Sequence, residues 1–156
     1  HSHNRSPNSN QSNNNNEAHP VSGIALWEAP AAAAAAAPGQ PAVIKVFNGS
    51  HDGHWRLWEP ENGAFVRRFE HSMGGGGCKV ECVKVASNFL FCGFEGVSRK
   101  LPHVKVGMIH AWNLANPSEA PLEFHIHSEF TPYAHAAGVS CLHITKETSQ
   151  IISGCH

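Results

Sequence analysis

The sequence contains no long hydrophobic run and carries almost no net charge. No window approaches the roughly 18 apolar residues that suggest a membrane-spanning helix, and no basic-then-apolar signal peptide opens the chain. The formal net charge is −1, and the 11 Lys and Arg residues are scattered. Counterion-driven binding to nucleic acid or to a membrane surface needs a concentrated basic patch. We therefore expect an intracellular protein, in cytoplasm or nucleus, without direct nucleic-acid or membrane binding by this segment.

Large apolar side chains are missing from residues 1–18, HSHNRSPNSNQSNNNNEA. Such a stretch cannot bury enough apolar surface to offset the entropy lost on ordering, so the sequence predicts a disordered head there. The first residue is His rather than Met, and the chain ends on Cys155 and His156 directly after an apolar run. We expect the chain to be an excerpt of a longer protein.

An internal repeat organises the remaining residues. Three segments alternate apolar and polar residues as half-buried strands do: VSGIAL at Val21–Leu26, VECVKV at Val80–Val85 and VSCLHI at Val139–Ile144. A histidine precedes each segment: His19, His71 and His135. A second predicted strand follows each segment and ends on a glycine: KVFNG at Gly49, FLFCG at Gly93 and QIISG at Gly154.

Two further strands follow in the first two copies. The third strand ends on tryptophan, HWRLW at Trp58 and GMIHAW at Trp112, and the fourth follows a turn, as AFVRRFE or LEFHIH. The sequence thus predicts an all-β chain of two four-stranded units and the first half of a third. The predicted units cover 19–70, 71–128 and 135–156.

The cysteines fall mostly at equivalent positions of the repeat. Cys82 and Cys141 align with Gly23, and Cys92 aligns with Asn48 and Ser153. Recurrence at packing positions favours small buried side chains, and an odd count of five favours reduced thiols over a disulfide framework.

No metal or other cofactor is predicted, because nothing in the cysteine spacing brings four zinc ligands together. One alternative stays open: His125 and His127, on the same face of a predicted strand, could ligate a metal with His135 or His143.

The order of histidine, two strands, Asp-Gly turn and strand ending in tryptophan resembles the WD-repeat family, whose units are blades of a β-propeller. The resemblance covers about residues 19–156 and is strongest at NGSHDGHWRLWEPENG; in the second unit Glu95-Gly96 replaces Asp-Gly. It implies a partial β-propeller of two blades and part of a third. The chain is also similar to the zinc-finger and WD-repeat proteins of plants and protists, but it lacks their Cys-Cys-Cys-His finger.

The stretch around Asp52 has two interpretations. As an acid/base cluster, His51, Asp52 and His54 would lack a fixed nucleophile or second carboxylate nearby. As structure, Asp52 caps a tight turn in which Gly53 supplies a positive φ. The resemblance implies a buried hydrogen-bonded network in each blade, with Asn48 or Ser50 at its serine/threonine position. Its members are assigned to His19, Asp52, Trp58, His71, Trp112 and His135.

An insertion in the second unit, EGVSRKLPHVKVG at Glu95–Gly107, is expected to be a loop joining the second and third strands. Loops on a rigid scaffold often carry binding residues. The candidate partner-binding residues form a small basic, partly apolar patch: Arg99, Lys100, His103 and Lys105. The alternative is a solvated loop without a partner.

The predicted function is a non-catalytic scaffold that docks an unidentified protein partner and packs against the remaining blades of its own propeller. One alternative is an RNA-associated protein whose zinc finger lies outside this chain. Another is a ubiquitin-ligase substrate receptor, for which the resemblance implies an arginine shortly after the tryptophan. Trp58 is instead followed by Glu-Pro-Glu and Trp112 by Asn-Leu-Ala. An enzyme or metal protein using the histidines is the third alternative.

Overall fold

Ten β-strands form the described part of the protein, which in this computed structural model comprises residues 19–29, 43–70, 78–98, 101–124, 133–145 and 149–156. No helix occurs among these residues. The strands are β1 Val21–Ala29, β2 Val43–Ser50, β3 His54–Glu59, β4 Ala64–Glu70, β5 Lys79–Ala86, β6 Phe89–Ser98, β7 Leu101–Asn113, β8 Leu122–Phe124, β9 Val139–Ile144 and β10 Ile151–Cys155. The predicted head, residues 1–18, lies outside the described residues.

Consecutive strands pair antiparallel in three sheets. Sheet 1 is β1-β2-β3-β4, sheet 2 is β5-β6-β7-β8 and sheet 3 is β9-β10. For the described residues this confirms the predicted all-β class, with two antiparallel four-stranded sheets and a two-stranded sheet after them. Short turns join β2 to β3 and β3 to β4, and Gly53 and Gly63 in these turns have φ of 80° and 68°, a conformation that glycine adopts without steric cost. Within the described ranges no sheet closes on itself.

The first two strands of every sheet share one irregularity of pairing. In each sheet the register shifts directly after the first valine of the strand: Val21, Val80 or Val139. The residue two positions later then pairs with the glycine near the end of the second strand: Gly23 with Gly49, Cys82 with Gly93 and Cys141 with Gly154. The equivalences read from the sequence therefore hold in the backbone pairing.

A valine lies directly over a glycine where one sheet meets the next. A methyl carbon at Gly49 would lie 2.5 Å from Cγ1 of Val80, and one at Gly93 would lie 2.7 Å from Cγ1 of Val139. Both valines are fully buried, at 0% exposure. Because any side chain at these glycines would occupy the valine's place, glycine allows β5 to approach sheet 1 and β9 to approach sheet 2.

Aromatic side chains fill the space between sheets 1 and 2. Trp55 is fully buried and stacks on Phe69 with ring centroids 3.6 Å apart. The centroid of its ring also lies 5.5 Å from that of Phe47 and 5.6 Å from that of Trp112 in sheet 2. The core between sheets 2 and 3 is smaller and mainly aliphatic, with Cys82, Ile109, Val139 and Leu142 at its centre.

Two expectations from the sequence are wrong in detail. The insertion at 95–107 is largely not a loop, because β6 and β7 continue through it as a hairpin in which Val97 pairs with Lys105. Cys141 is exposed rather than buried, since the described residues include no sheet on that side of β9. His125 and His127 lie outside the described residues.

We expect Gly93→Ala to destabilise the protein by about 1–3 kcal/mol, because the new methyl would overpack against Val139. The control is Gly154→Ala, at the equivalent position of sheet 3. There a cysteine sulfur is also the near neighbour, but no valine lies within 4 Å among the described residues, so the change should stay within about 0.5 kcal/mol. Urea unfolding at low protein concentration measures both. Equal losses would contradict the valine contact.

Candidate functional site

The turn between β2 and β3 is held together by the carboxylate of Asp52. The backbone N–H of Gly53 donates to the carbonyl of Ser50 at 3.1 Å, which closes the turn. Oδ1 of Asp52 accepts the backbone N–H of His54 at 3.0 Å, and the guanidinium of Arg56 donates to both carboxylate oxygens. All these partners belong to the same hairpin, so Asp52 acts as a local clamp on the turn.

Those contacts shift the pKa of Asp52. Partial burial alone would raise it, but the hydrogen bond and charge of Arg56, the backbone N–H of His54 and the charge of the His54 ring outweigh burial. The pKa falls from its ordinary value of 3.8 to about 2. The carboxylate is therefore ionised at neutral pH and has no tendency to act as a general acid or base there.

The segment before β1 is attached to this turn through its backbone. The carbonyl of Pro20 accepts the hydroxyl of Ser50 at 3.1 Å and the backbone N–H of His51 at 3.2 Å. His19 is exposed, and among the described residues Asp52 bonds to His54 and Arg56 rather than to His19. Among the described residues, the network that the resemblance implies is therefore not formed through a His19–Asp52 bond: the proline carbonyl supplies the attachment and Arg56 supplies the countercharge.

The residue before the recurring glycine of the second strand, at the serine/threonine position of the implied network, makes a side-chain hydrogen bond in two of the sheets. The partner differs between the two sheets. In sheet 1 the indole N–H of Trp58 donates to Oδ1 of Asn48. In sheet 3 the aligned residue, Ser153, lies 2.7 Å from Nε2 of His135. In sheet 2 the position is Cys92, a fully buried side chain.

The other two members of the predicted network belong to the second copy. Trp112 is buried in the core beside Trp55. His71 lies outside the described residues.

Two open clefts adjoin at His19 and Asp52. The larger, about 490 Å³, lies between sheets 1 and 2 and is lined by His19, Pro20, His51, Asp52, Cys78, Lys79 and Lys105. The smaller, about 440 Å³, reaches along sheet 1 to Arg56 and Trp58. At the rim of the larger one, Nε2 of His51 lies 3.1 Å from a carboxylate oxygen of Glu81. This contact could not be predicted from the sequence, because the two residues come from different sheets.

The hairpin formed by β6 and β7 is the most prominent departure from the repeat. Its strands have 10 and 13 residues, whereas the equivalent β2 and β3 have 8 and 6. Val106 is buried in the core, while His103, Val104 and Lys105 are exposed. Lys105 lies 3.6 Å from Glu95 on the facing strand. Two of the predicted binding residues therefore lie on a strand, and the other two, Arg99 and Lys100, lie outside the described residues.

Three cysteines, the half-buried Cys78 and the buried Cys82 and Cys92, are unsuited to nucleophilic chemistry. Burial raises the pKa of the Cys78 and Cys82 thiols to about 11 and raises that of the Cys92 thiol well above its ordinary value. Only the thiolate is nucleophilic, and these three groups are protonated at neutral pH. Across the described ranges no cluster of three or more His, Cys, Asp or Glu side chains could hold a metal ion.

The comparisons with known proteins identify no family for this chain. No family model matches the chain, and no curated protein matches it significantly. Within the described residues, no helix is long and apolar enough to cross a membrane.

We expect Asp52→Ala to lower the free energy of unfolding by about 1–2 kcal/mol at pH 7, through loss of the turn acceptor and the Arg56 pair. Because the folded-state pKa lies below the ordinary value, this contribution is present above pH 3.8 and disappears as the pH falls towards 2. Urea unfolding of both proteins between pH 3 and 7 measures the difference.

The control for this prediction is Asp52→Asn, which keeps an acceptor for the His54 N–H and loses only the charge. It should show a smaller loss than the alanine variant. A difference between wild type and Asp52→Ala that did not shrink below pH 4 would contradict the role of the charged carboxylate.

Proposed function

We propose that this chain is a non-catalytic protein-interaction scaffold built from WD repeats. The observation that supports it most is the recurrence of one sheet design, with the same register shift and the same valine-over-glycine contact between successive sheets. Repeated sheets that differ mainly in their connections form a rigid frame on which exposed segments can bind. The protonated thiols and the locally paired Asp52 give no support to catalysis.

The repeat also supports a partial β-propeller as the finer architecture. Strands follow chain order within each sheet, and the first strands are neighbours, β1 packing on β5 and β5 on β9. Radial packing of four-stranded sheets through their first strands is the arrangement that propellers use. In this proposal sheets 1 and 2 are complete blades and sheet 3 is part of a third.

The exposed strand of the long hairpin is our proposed binding surface for a protein partner. Val104 is 51% exposed, and its neighbours His103 and Lys105 are exposed as well. Because successive side chains of a strand point to opposite faces, the strand offers an apolar side chain on one face and basic ones on the other. The base of the hairpin is fixed, because Gly107 exchanges backbone hydrogen bonds with His135 of 2.8 and 3.0 Å. A surface on fixed strands loses little conformational entropy on binding.

The test is affinity capture with the 156-residue chain carrying His103→Ala, Val104→Asp and Lys105→Ala together. We expect recovery of the wild-type partner to fall by about tenfold or more, as removal of a binding hot spot would cause. The control is Leu122→Asp on β8 of the same sheet, where the side chain is 56% exposed; it should capture the partner normally. Equal recovery by the triple variant and the wild type would overturn this surface.

A further inference from the structure

The outer side of sheet 1 carries apolar side chains that no described residue covers. We call this the rear face of sheet 1, and it includes a row in which Leu26 pairs with Val46, Val46 with Trp58 and Trp58 with Phe65. Leu26 and Phe65 are 64% and 53% exposed, and Ile24 beside them is 64% exposed. Exposed apolar patches of this kind mark interaction sites in soluble proteins.

The equivalent side of sheet 2 is buried beneath sheet 1. Leu90 pairs with Trp112 as Val46 pairs with Trp58. Leu90 is fully buried and Trp112 is only 6% exposed. In sheet 2, therefore, the face equivalent to the rear face of sheet 1 is covered by a neighbouring sheet, with Trp112 packed beside Trp55.

Among the described residues, no valine packs against the glycine of sheet 3, whereas Val80 and Val139 pack against the glycines of sheets 1 and 2. Near a methyl carbon at Gly154, the described residues offer only Sγ of Cys141, at 2.9 Å, within 4 Å. At Gly93 the equivalent sulfur, of Cys82, lies 2.6 Å away, and Val139 occupies the remaining space. We call the open space at Gly154 the Gly154 notch. Beside it Cys141 is exposed and Ile152 is 57% exposed.

Val21 is the side chain that matches this notch. It holds the place of Val80 and Val139, directly before the register shift of its strand. Those two valines are fully buried against a glycine of the preceding sheet, whereas Val21 is 58% exposed. The two sheets at the ends of the described chain therefore carry the two complementary halves of one contact.

We propose that a second copy of this chain covers the rear face of sheet 1, with Val21 of one copy packed into the Gly154 notch of the other. Ile152 of the second copy would then lie against the exposed apolar row, in the place that Phe47 takes between sheets 1 and 2. The contact is head-to-tail, so each copy uses two different surfaces. A second copy is the occupant because both surfaces belong to the same sequence. They also repeat the valine-over-glycine geometry that already joins sheet 1 to sheet 2 and sheet 2 to sheet 3.

The test is sedimentation of the full chain over a range of concentrations. The average mass of the wild type should rise with concentration, whereas Val21→Asp, which places a charge in the notch, and Gly154→Val, which fills it, should each remain monomeric. The control is Leu122→Asp, which replaces a similarly exposed apolar side chain on sheet 2. This variant should associate like the wild type. Circular dichroism verifies that every variant is folded.

Mixing the two monomeric variants tests the head-to-tail geometry. Val21→Asp retains an intact notch and Gly154→Val retains an intact valine, so together they have one working contact and should form a 1:1 dimer that grows no further. A monomeric wild type at all concentrations, association that survives both substitutions, or a mixture without dimers would overturn the proposal. If Gly154→Val failed to fold, the loss of association in Val21→Asp would still decide it.

Discussion

The contact of Val80 with Gly49, repeated by Val139 with Gly93, sets how closely neighbouring sheets of this protein approach. A single added methyl would come within 2.5–2.7 Å of the valine, so the space between sheets depends on the absence of one side chain. Close approach lets the aromatic core around Trp55 fill at short ring distances. The same register shift after each valine aligns the contact, and the packing of the sheets follows from this local rule.

Polar contacts at the ends of the strands add to this frame instead of forming a reactive centre. Asp52 is satisfied within its own hairpin by His54 and Arg56, and the Pro20 carbonyl attaches the preceding segment to that turn. Low pKa at Asp52 and high pKa at the buried thiols keep these groups in unreactive protonation states at neutral pH. The functional proposal therefore concerns surfaces, above all the exposed strand at His103 to Lys105.

Strand order and the alignment of the copies could be predicted because alternating side chains report directly on a half-buried sheet. The sequence could not show that 95–107 continues two strands, since its Pro, Lys and Arg residues resemble those of a loop. Nor could it show that His19 is exposed, because a backbone carbonyl, which every residue carries, makes the attachment instead. Cys141 matched Cys82 in pattern and differs in burial because exposure depends on the neighbouring sheet, not on the strand itself.

The most direct measurement of the central claim is a set of nuclear Overhauser contacts in isotope-labelled protein. We predict strong contacts from the methyl groups of Val80 to the α protons of Gly49, and from those of Val139 to the α protons of Gly93. A methyl carbon added to either glycine would lie 2.5–2.7 Å from Cγ1 of its valine, so each glycine faces the valine methyl groups at close range although the two residues are far apart in the chain. The absence of both contacts in a folded sample would contradict the account, because the sheets would then pack by some other rule.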